Sequence, residues 1–225
     1  MSFSLSEIEA LSKKAARGAG FGWGMADEAA KATRWLCKHD FDGCQALVNL
    51  LELMGGIGGD RVTQPLETLP SDISQWTTEC LCPIALGTYL SDRSDLLIDY
   101  VNECGGEIKI GRVVEPMLLI FFLSVIARKI GVTVHTHWSD TVVRTDGRTV
   151  GMRKKPQASG SGLRIWFSSS TSAPDADLSA KRLQDRANPS TAVMQALDTL
   201  AGRTYAPESE QSRQTGAGAG LVDND

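Results

Sequence analysis

The first turns of the chain alternate apolar and polar residues with the period of an α-helix. One helical face carries the apolar residues Ile8, Leu11 and Ala15. Ser4 and Glu7 stand in capping-box spacing, so the Ser4 hydroxyl can bind the third helical N–H while Glu7 binds back to the cap. Gly18 and Gly20 then end the segment. The pattern predicts a helix from about residue 5 to the glycines.

Two further amphipathic segments follow and predict a second and a third helix. The second carries the apolar residues Met25, Ala29, Ala32 and Leu36. On its polar face Asp27 and Lys31 form a favourable pair four residues apart. The third begins near Asp42, which can cap it with Gln45 in third position, and ends at Gly55–Gly56. Residues 1–54 are therefore expected to form a helical region.

The next fifty residues give weaker signals. Residues 55–79 contain Gly55, Gly56, Gly58, Gly59, Pro65 and Pro70 and have no periodicity. Irregular connections of this length are often functional. Residues 80–104 fit a short strand and a short helix equally well, so the pattern predicts neither.

From Glu107 onward the pattern favours β-structure around one buried helix. Ile108, Ile110 and Val113 indicate a strand, and Pro116 opens an apolar segment that ends at Gly131, which predicts a helix. Further strands are predicted at 132–138 and 163–168, and Asp146–Gly147 is a hairpin signal. A last helix is predicted at 190–200.

The order of these elements, helices first and strands mostly later, favours an α+β fold over a doubly wound α/β sheet. We expect the N-terminal helical region to pack on a small, mostly antiparallel sheet. Residues 1–202 are predicted to form a single domain, with a helical part at 1–54 and a mixed, β-rich part at 80–170. Residues 203–225 form a polar tail that either is solvated or docks on the domain.

Composition narrows the class of protein. The 225 residues are 42% apolar and 22% charged, as in ordinary soluble proteins. The net charge of −4 argues against a dedicated nucleic-acid partner. The first residues lack the features of a secretory signal, and the apolar run 117–127 is too short to span a bilayer. We therefore expect a cytoplasmic protein without a membrane partner, whose five cysteines are reduced and mostly packed as small hydrophobic residues.

Two stretches carry a family resemblance. They comprise residues 5–10, 14–20, 23–24 and 34–36 near the start, and residues 205–208, 212–213, 216–221 and 223–225 at the end. Together they resemble the two ends of an uncharacterised bacterial family that carries only a domain-of-unknown-function label. The resemblance brings no activity, cofactor or catalytic residue, but it implies that the tail belongs to the protein's design.

The glycine-rich turn Arg17–Gly24 leads directly into a helix start. Its backbone N–H groups, with the helix dipole behind them and Arg17 beside them, could bind a carboxylate or phosphate. The alternative is a purely structural role, a tight turn in which Gly18 and Gly20 let two helices approach closely. Trp23 and Trp35 are then helix-contact or core aromatics rather than ligand platforms.

The leading functional hypothesis joins this turn to the tail. A pocket of Arg17, Gly18, Gly20 and Trp23 with Tyr205 and Arg213 would bind a small anionic molecule, in a binding protein or an accessory subunit. No cofactor follows from the residues, and no metal is predicted. The hypothesis requires that the two ends of the chain meet in space.

Two other functions stay open. Cys80, Cys82, His135 and His137 could serve an enzyme that uses Cys or His chemistry, and the two histidines share one face of a strand. Without a third ligand in view, buried thiols and a hydrogen-bonded strand face are the better interpretation. The apolar segment near Met117 could instead serve a structural subunit that binds a protein partner or a second copy of the chain.

Overall fold

A computed structural model describes residues 1–55, 80–103, 107–153, 159–160, 162–168 and 178–204. The helices are α1 (Leu5–Gly18), α2 (Trp23–Lys38), α3 (Gly43–Gly55), α4 (Pro83–Asp92), α5 (Ser94–Glu103), α6 (Leu119–Ile130) and α7 (Thr191–Gly202). The strands are β1 (Phe3–Ser4), β2 (Cys80–Leu81), β3 (Glu107–Ile110), β4 (Arg112–Val114), β5 (Thr133–Trp138), β6 (Thr141–Thr145), β7 (Val150–Arg153), β8 (Ser159–Gly160), β9 (Leu163–Ser168), β10 (Ser179–Ala180) and β11 (Arg186–Ala187).

The N-terminal helices begin where the capping residues predict. The Ser4 hydroxyl accepts from the N–H of Glu7 at 3.2 Å, and the Glu7 carboxylate accepts from the N–H of Ser4 at 2.7 Å. The predicted pair of Lys31 and Asp27 is formed at 2.9 Å. At the start of α3 the Asp42 carboxylate accepts from the N–H of Gln45. Capping by side chains fixes helix starts locally, which is why the predicted starts of α1 and α3 are confirmed.

The main sheet has six strands in the order β10-β7-β6-β5-β9-β3, and all its pairings are antiparallel. The predicted hairpin joins β6 to β7, where the Asp146 carboxylate accepts from the N–H groups of Arg148 and Thr149. Gly147 adopts φ +83°, a conformation that glycine tolerates best. Two small sheets, β2-β4-β8 and β1-β11, complete the strands of the described part.

The single strand predicted over Ile108–Val113 is two strands in two sheets. β3 pairs with β9, whereas β4 pairs with β2 and β8, so the chain changes sheets at Gly111. Residues 80–103, for which the sequence predicted no element, form β2, α4 and α5. Residues 56–79 lie outside the described residues.

Helix α6 joins the helical layer to the sheet. It follows a single 3₁₀ turn at Pro116–Leu118 and ends at Gly131, whose φ is +70°. On one side α6 contacts α2 and α4, and on the other it contacts β5 and β6. The hydroxyls of Ser124 and Thr145 bond across that contact at 2.9 Å. The predicted α+β class is confirmed, with α6 between the N-terminal helices and the sheet.

None of the helices in the described part of the chain is both long and apolar enough to cross a membrane.

Candidate functional site

The glycine-rich turn between α1 and α2 is a close helix packing point. A Cβ on Gly18 would lie 1.8 Å from the carbonyl oxygen of Leu200, so only glycine lets the end of α1 pack against α7 here. The Arg17 guanidinium donates to the carbonyl oxygen of Phe21 and lies 4.5 Å over the ring of Trp23. Of the two expected roles for Trp23, core or helix-contact aromatic, its 70% exposure excludes the core. Arg17 and Trp23 instead form a surface pair across the turn.

The predicted anion pocket brings together only part of its residues in the described structure. Gly18 and Trp23 lie at this turn beside Arg17, and Gly20 adopts φ 102° between them. Tyr205 and Arg213 lie outside the described residues. The meeting of the two ends at one pocket therefore stays a prediction.

The next turn, between α2 and α3, borders a cavity of about 350 Å³. The cavity is lined by Cys37, Asp40, Phe41, Asp42 and Cys44 on one wall and by Gln184, Arg186, Ala187, Asn188 and Pro189 on the other. Its walls thus come from the first fifth of the chain and from the segment just before α7. Such a volume accommodates a small molecule.

Two cysteines meet at this cavity because the turn between α2 and α3 is tight. A Cβ on Gly43 would lie 2.5 Å from the carbonyl oxygen of Thr33, so glycine lets the first turn of α3 pack on α2. Cys37 lies in the last turn of α2 and Cys44 in the first turn of α3, which places their sulfur atoms 3.8 Å apart. Both side chains are buried.

The two thiols differ in acidity. A hydrogen bond from Cys44 lowers the pKa of Cys37, and backbone N–H groups of Cys44 and Gly43 act in the same direction, against burial and the nearby Asp42 charge. The pKa of Cys44 is raised, first by its hydrogen bond to Cys37 and then by burial. Cys37 is therefore the thiol that ionises first. The N–H groups that favour the Cys37 thiolate belong to the start of α3, and helix N-termini commonly act in this way.

Hydrogen bonds to Ser2 and Lys38 hold the second wall of the cavity in place. The N–H of Gln184 donates to the carbonyl oxygen of Lys38 at 2.7 Å. The Arg186 guanidinium donates to the hydroxyl and to the carbonyl oxygen of Ser2, both at 2.7 Å. Strand β11 pairs with β1 at the same place. The cavity wall is thus tied to the N-terminus and to the end of α2.

His39 lies next to the turn but is used by α2 itself. Its Nδ1 lies 2.8 Å from the carbonyl oxygen of Trp35, and its ring stacks on the Trp35 ring with centroids 3.9 Å apart. Burial lowers the pKa of His39, which favours the neutral ring. These contacts make His39 a packing residue at the end of α2.

The residues of the alternative Cys/His hypothesis lie at two separate places. Cys82 is buried just before α4, and the side chain of Cys80 lies outside the described residues. His135 and His137 share the half-buried face of β5, as predicted. Over the described ranges, no group of three His, Cys, Asp or Glu side chains could hold a metal ion.

The hydrophobic pattern of the sequence did not indicate the pair of Cys37 and Cys44. A signal for it was present, since one cysteine falls in the last turn of α2 and the other in the first turn of α3. When four residues join two helices, the last turn of the first helix and the first turn of the second lie close together. Predicting the contact would have required the crossing geometry, which Gly43 sets.

The comparisons with known proteins find a similarity over part of the chain and no activity. Residues 3–86 match a family described as a protein of unknown function (DUF3726). No curated protein and no solved structure matches the chain. The match confirms the resemblance to a family known only as a domain of unknown function, and it contains both helix turns described above. The C-terminal stretch of that resemblance lies beyond the matched residues.

Proposed function

We propose that the chain binds a small polar molecule in the cavity beside the α2–α3 turn, and that Cys37 and Cys44 form a redox-active dithiol there. The observation that carries the proposal is the 3.8 Å separation of the two sulfur atoms at the cavity wall. The acidity difference supports the same roles, because a lowered pKa suits an attacking thiol. The proposal replaces Cys82 with Cys37 as the best candidate for thiol chemistry.

The proposed chemistry is thiol–disulfide exchange with a small disulfide. The Cys37 thiolate attacks one sulfur of the disulfide, forming a mixed disulfide and releasing one thiolate that takes up a proton. Cys44, after losing its proton to solvent, attacks the Cys37 sulfur and releases the second thiol. The protein loses two protons and two electrons, and the small disulfide takes up both and is reduced to two thiols.

The lining of the cavity supports a polar ligand. Arg186 and the amides of Gln184 and Asn188 offer donors on one wall, while Asp40 and Asp42 offer acceptors on the other. Since a disulfide bond is about 2 Å long, the two sulfurs must approach by roughly 2 Å on oxidation. Oxidation would therefore change the shape of the cavity and couple redox state to ligand binding.

Oxidised glutathione is a suitable probe of the proposal. We expect the full-length protein to lose two hydrogens on incubation at pH 8 and to form a bond between Cys37 and Cys44, mapped by peptide mass spectrometry. Cys44→Ser should trap one glutathione on Cys37. Cys37→Ser should make Cys44 react more slowly than Cys37 does in the parent, because burial still raises the pKa of Cys44 when Cys37 is absent.

Cys82→Ser is the matched control, since Cys82 is also buried but lies outside the cavity lining. It should oxidise between Cys37 and Cys44 as the parent does. Circular dichroism verifies that each variant is folded, and Cys37→Ala replaces Cys37→Ser if the serine does not fold. The proposal is wrong if the folded parent protein shows no bond between these two cysteines, or if Cys44 reacts as fast without Cys37.

The anion site at the first turn is a second proposal, independent of the thiols. It is supported by the N-terminus of α2, where Gly22 is the N-cap and the described residues supply no side-chain cap. Phosphates and carboxylates should raise the melting temperature of the full chain but not of a chain that ends at Gly202. Equal shifts in both chains would rule out the roles of Tyr205 and Arg213.

A further inference from the structure

One face of the six-stranded sheet is basic, although the chain as a whole is acidic. The buried face contacts α6 through Thr145. On the opposite face lie Lys109, Arg144, Arg153 and Arg164, one each from β3, β6, β7 and β9, all half-buried or exposed. Among the described strand residues, Glu107 is the one carboxylate on this face, 3.7 Å from Arg164. We call this side of the sheet the basic face.

The strand register places the basic residues near the rings of His135 and Trp166. His135 stands opposite Arg144 on one side and opposite Trp166 on the other. In the neighbouring row, Arg164 stands opposite Lys109. Five strands at a spacing of about 4.8 Å make this surface ~19 Å wide. In the row of the two rings, Arg144 lies beyond His135 and Glu107 lies opposite Trp166, while Lys109 and Arg164 lie in the neighbouring row.

The rings of His135 and Trp166 stack on each other. The His135 and Trp166 ring planes are within 7° of parallel, with centroids 5.2 Å apart. His135 Nε2 also lies 3.2 Å from the Ser168 hydroxyl, which holds the imidazole in place. Both side chains are half-buried rather than enclosed. Aromatic rings on a sheet face that also carries Arg and Lys side chains are a common arrangement for stacking unpaired bases.

We propose that the basic face binds single-stranded nucleic acid, with a base on the His135–Trp166 stack and phosphates on the surrounding Arg and Lys side chains. An acidic protein segment would use the charges but would gain little from the parallel rings, so the stack favours a nucleic acid. The proposal departs from the expectation based on net charge because the positive charge is concentrated on one face. It is independent of the thiol cavity.

Fluorescence anisotropy with labelled single strands of about ten nucleotides, as DNA and as RNA, tests the proposal. Four phosphate contacts predict a slope of about −3 for log K against log salt. Trp166→Ala should weaken binding about tenfold, and Trp166→Phe should retain most of it. Lys109→Gln with Arg164→Gln should reduce the slope to about half. Lys38→Gln with Arg182→Gln, the same charge change on exposed residues elsewhere, should leave the slope unchanged.

Three outcomes would overturn the proposal. One is no binding of either single strand at about 50 mM salt, where phosphate contacts bind far more tightly than at about 200 mM. Another is equal binding of duplex and single strand with no effect of Trp166→Ala. The third is competition by polyglutamate as strong as that by unlabelled DNA, with the same binding affinity in Trp166→Ala as in the parent. That result would identify an acidic protein as the partner. Circular dichroism of the Trp166 variants confirms that each is folded.

Discussion

Glu115 is a buried acid held in a backbone conformation that residues other than glycine rarely adopt. Its φ is 44° and its side chain is 3% exposed. Burial raises its pKa to about 7, against the hydrogen bond that the Asn49 amide donates to it at 2.9 Å. Strained, buried acids are common at functional sites, but Glu115 lies outside the lining of the thiol cavity. Its measurable consequence is for stability.

Glu115→Gln should stabilise the protein at high pH and have little effect at low pH. The unfolded state releases its proton near pH 4.5 while the native state keeps it to about pH 7, so the parent loses stability as pH rises through this window. Glutamine still accepts from Asn49 but carries no charge. The difference in unfolding free energy should reach about 3 kcal/mol at pH 8 and vanish below pH 4. Urea unfolding across this range measures it.

Glu52→Gln is the control for Glu115→Gln, since Glu52 is an exposed acid on α3. It should leave the pH dependence of stability as it is in the parent. A parallel loss of stability with pH in Glu115→Gln and in the parent would show that another group is responsible.

At the level of single residues, the sequence was a poor guide to which side chains of the candidate sites lie in contact. Arg17 and Trp23 were singled out correctly as neighbours in a turn, yet the contact of Arg17 with Trp23 follows from the helix crossing angle. Most of the five cysteines were expected to pack as small hydrophobic residues, and both Cys37 and Cys44 are buried. What distinguishes them is a distance of 3.8 Å across a turn. Such distances depend on tertiary packing, which periodicity does not encode.

At the level of elements, two glycines in neighbouring helices allow a sharp test of packing. Gly18→Ala should lower the free energy of unfolding by 3 kcal/mol or more, on the order of a severe overpacking, because the new Cβ would lie 1.8 Å from the Leu200 carbonyl oxygen. A Cβ on Gly24 would meet no atom of another described element within 4 Å, so Gly24→Ala should stabilise α2 by up to about 1 kcal/mol. Urea unfolding of both variants gives the comparison. Equal effects would show that the α1–α7 contact is looser than described.

The elements were predicted well wherever a local signal sets them. Ser4, Asp42 and Ser190 each accept from a backbone N–H at a helix start, and Gly131 ends α6 in a left-handed conformation. The division of β3 from β4 could not be predicted in this way. Both strands have the same β-pattern, and only their partners, β9 for one and β2 with β8 for the other, separate them. Strand pairing over such distances is a property of the whole chain.

At the level of the whole molecule, the start and the later part of the chain are joined. Strand β1 pairs with β11, and α7 packs against α1 and α3. The buried apolar residues from Leu5 to Leu200 form one connected cluster that includes both helices and sheet. A continuous core of this kind favours a single cooperative unit, as the predicted domain 1–202 requires.

Leu197→Ala tests that prediction from the far end of the chain. Leu197 is fully buried on α7, so its truncation should cost about 2–5 kcal/mol. If the domain is one unit, the slowest-exchanging amides of α1 and of β5 lose the same free energy in hydrogen-exchange mass spectrometry, although β5 lies in the sheet. Leu53→Ala, at a leucine that is 54% exposed, should change neither by more than about 0.5 kcal/mol. Loss of protection in α1 with none in β5 would divide the chain into two units, a helical one closed by α7 and a separate sheet.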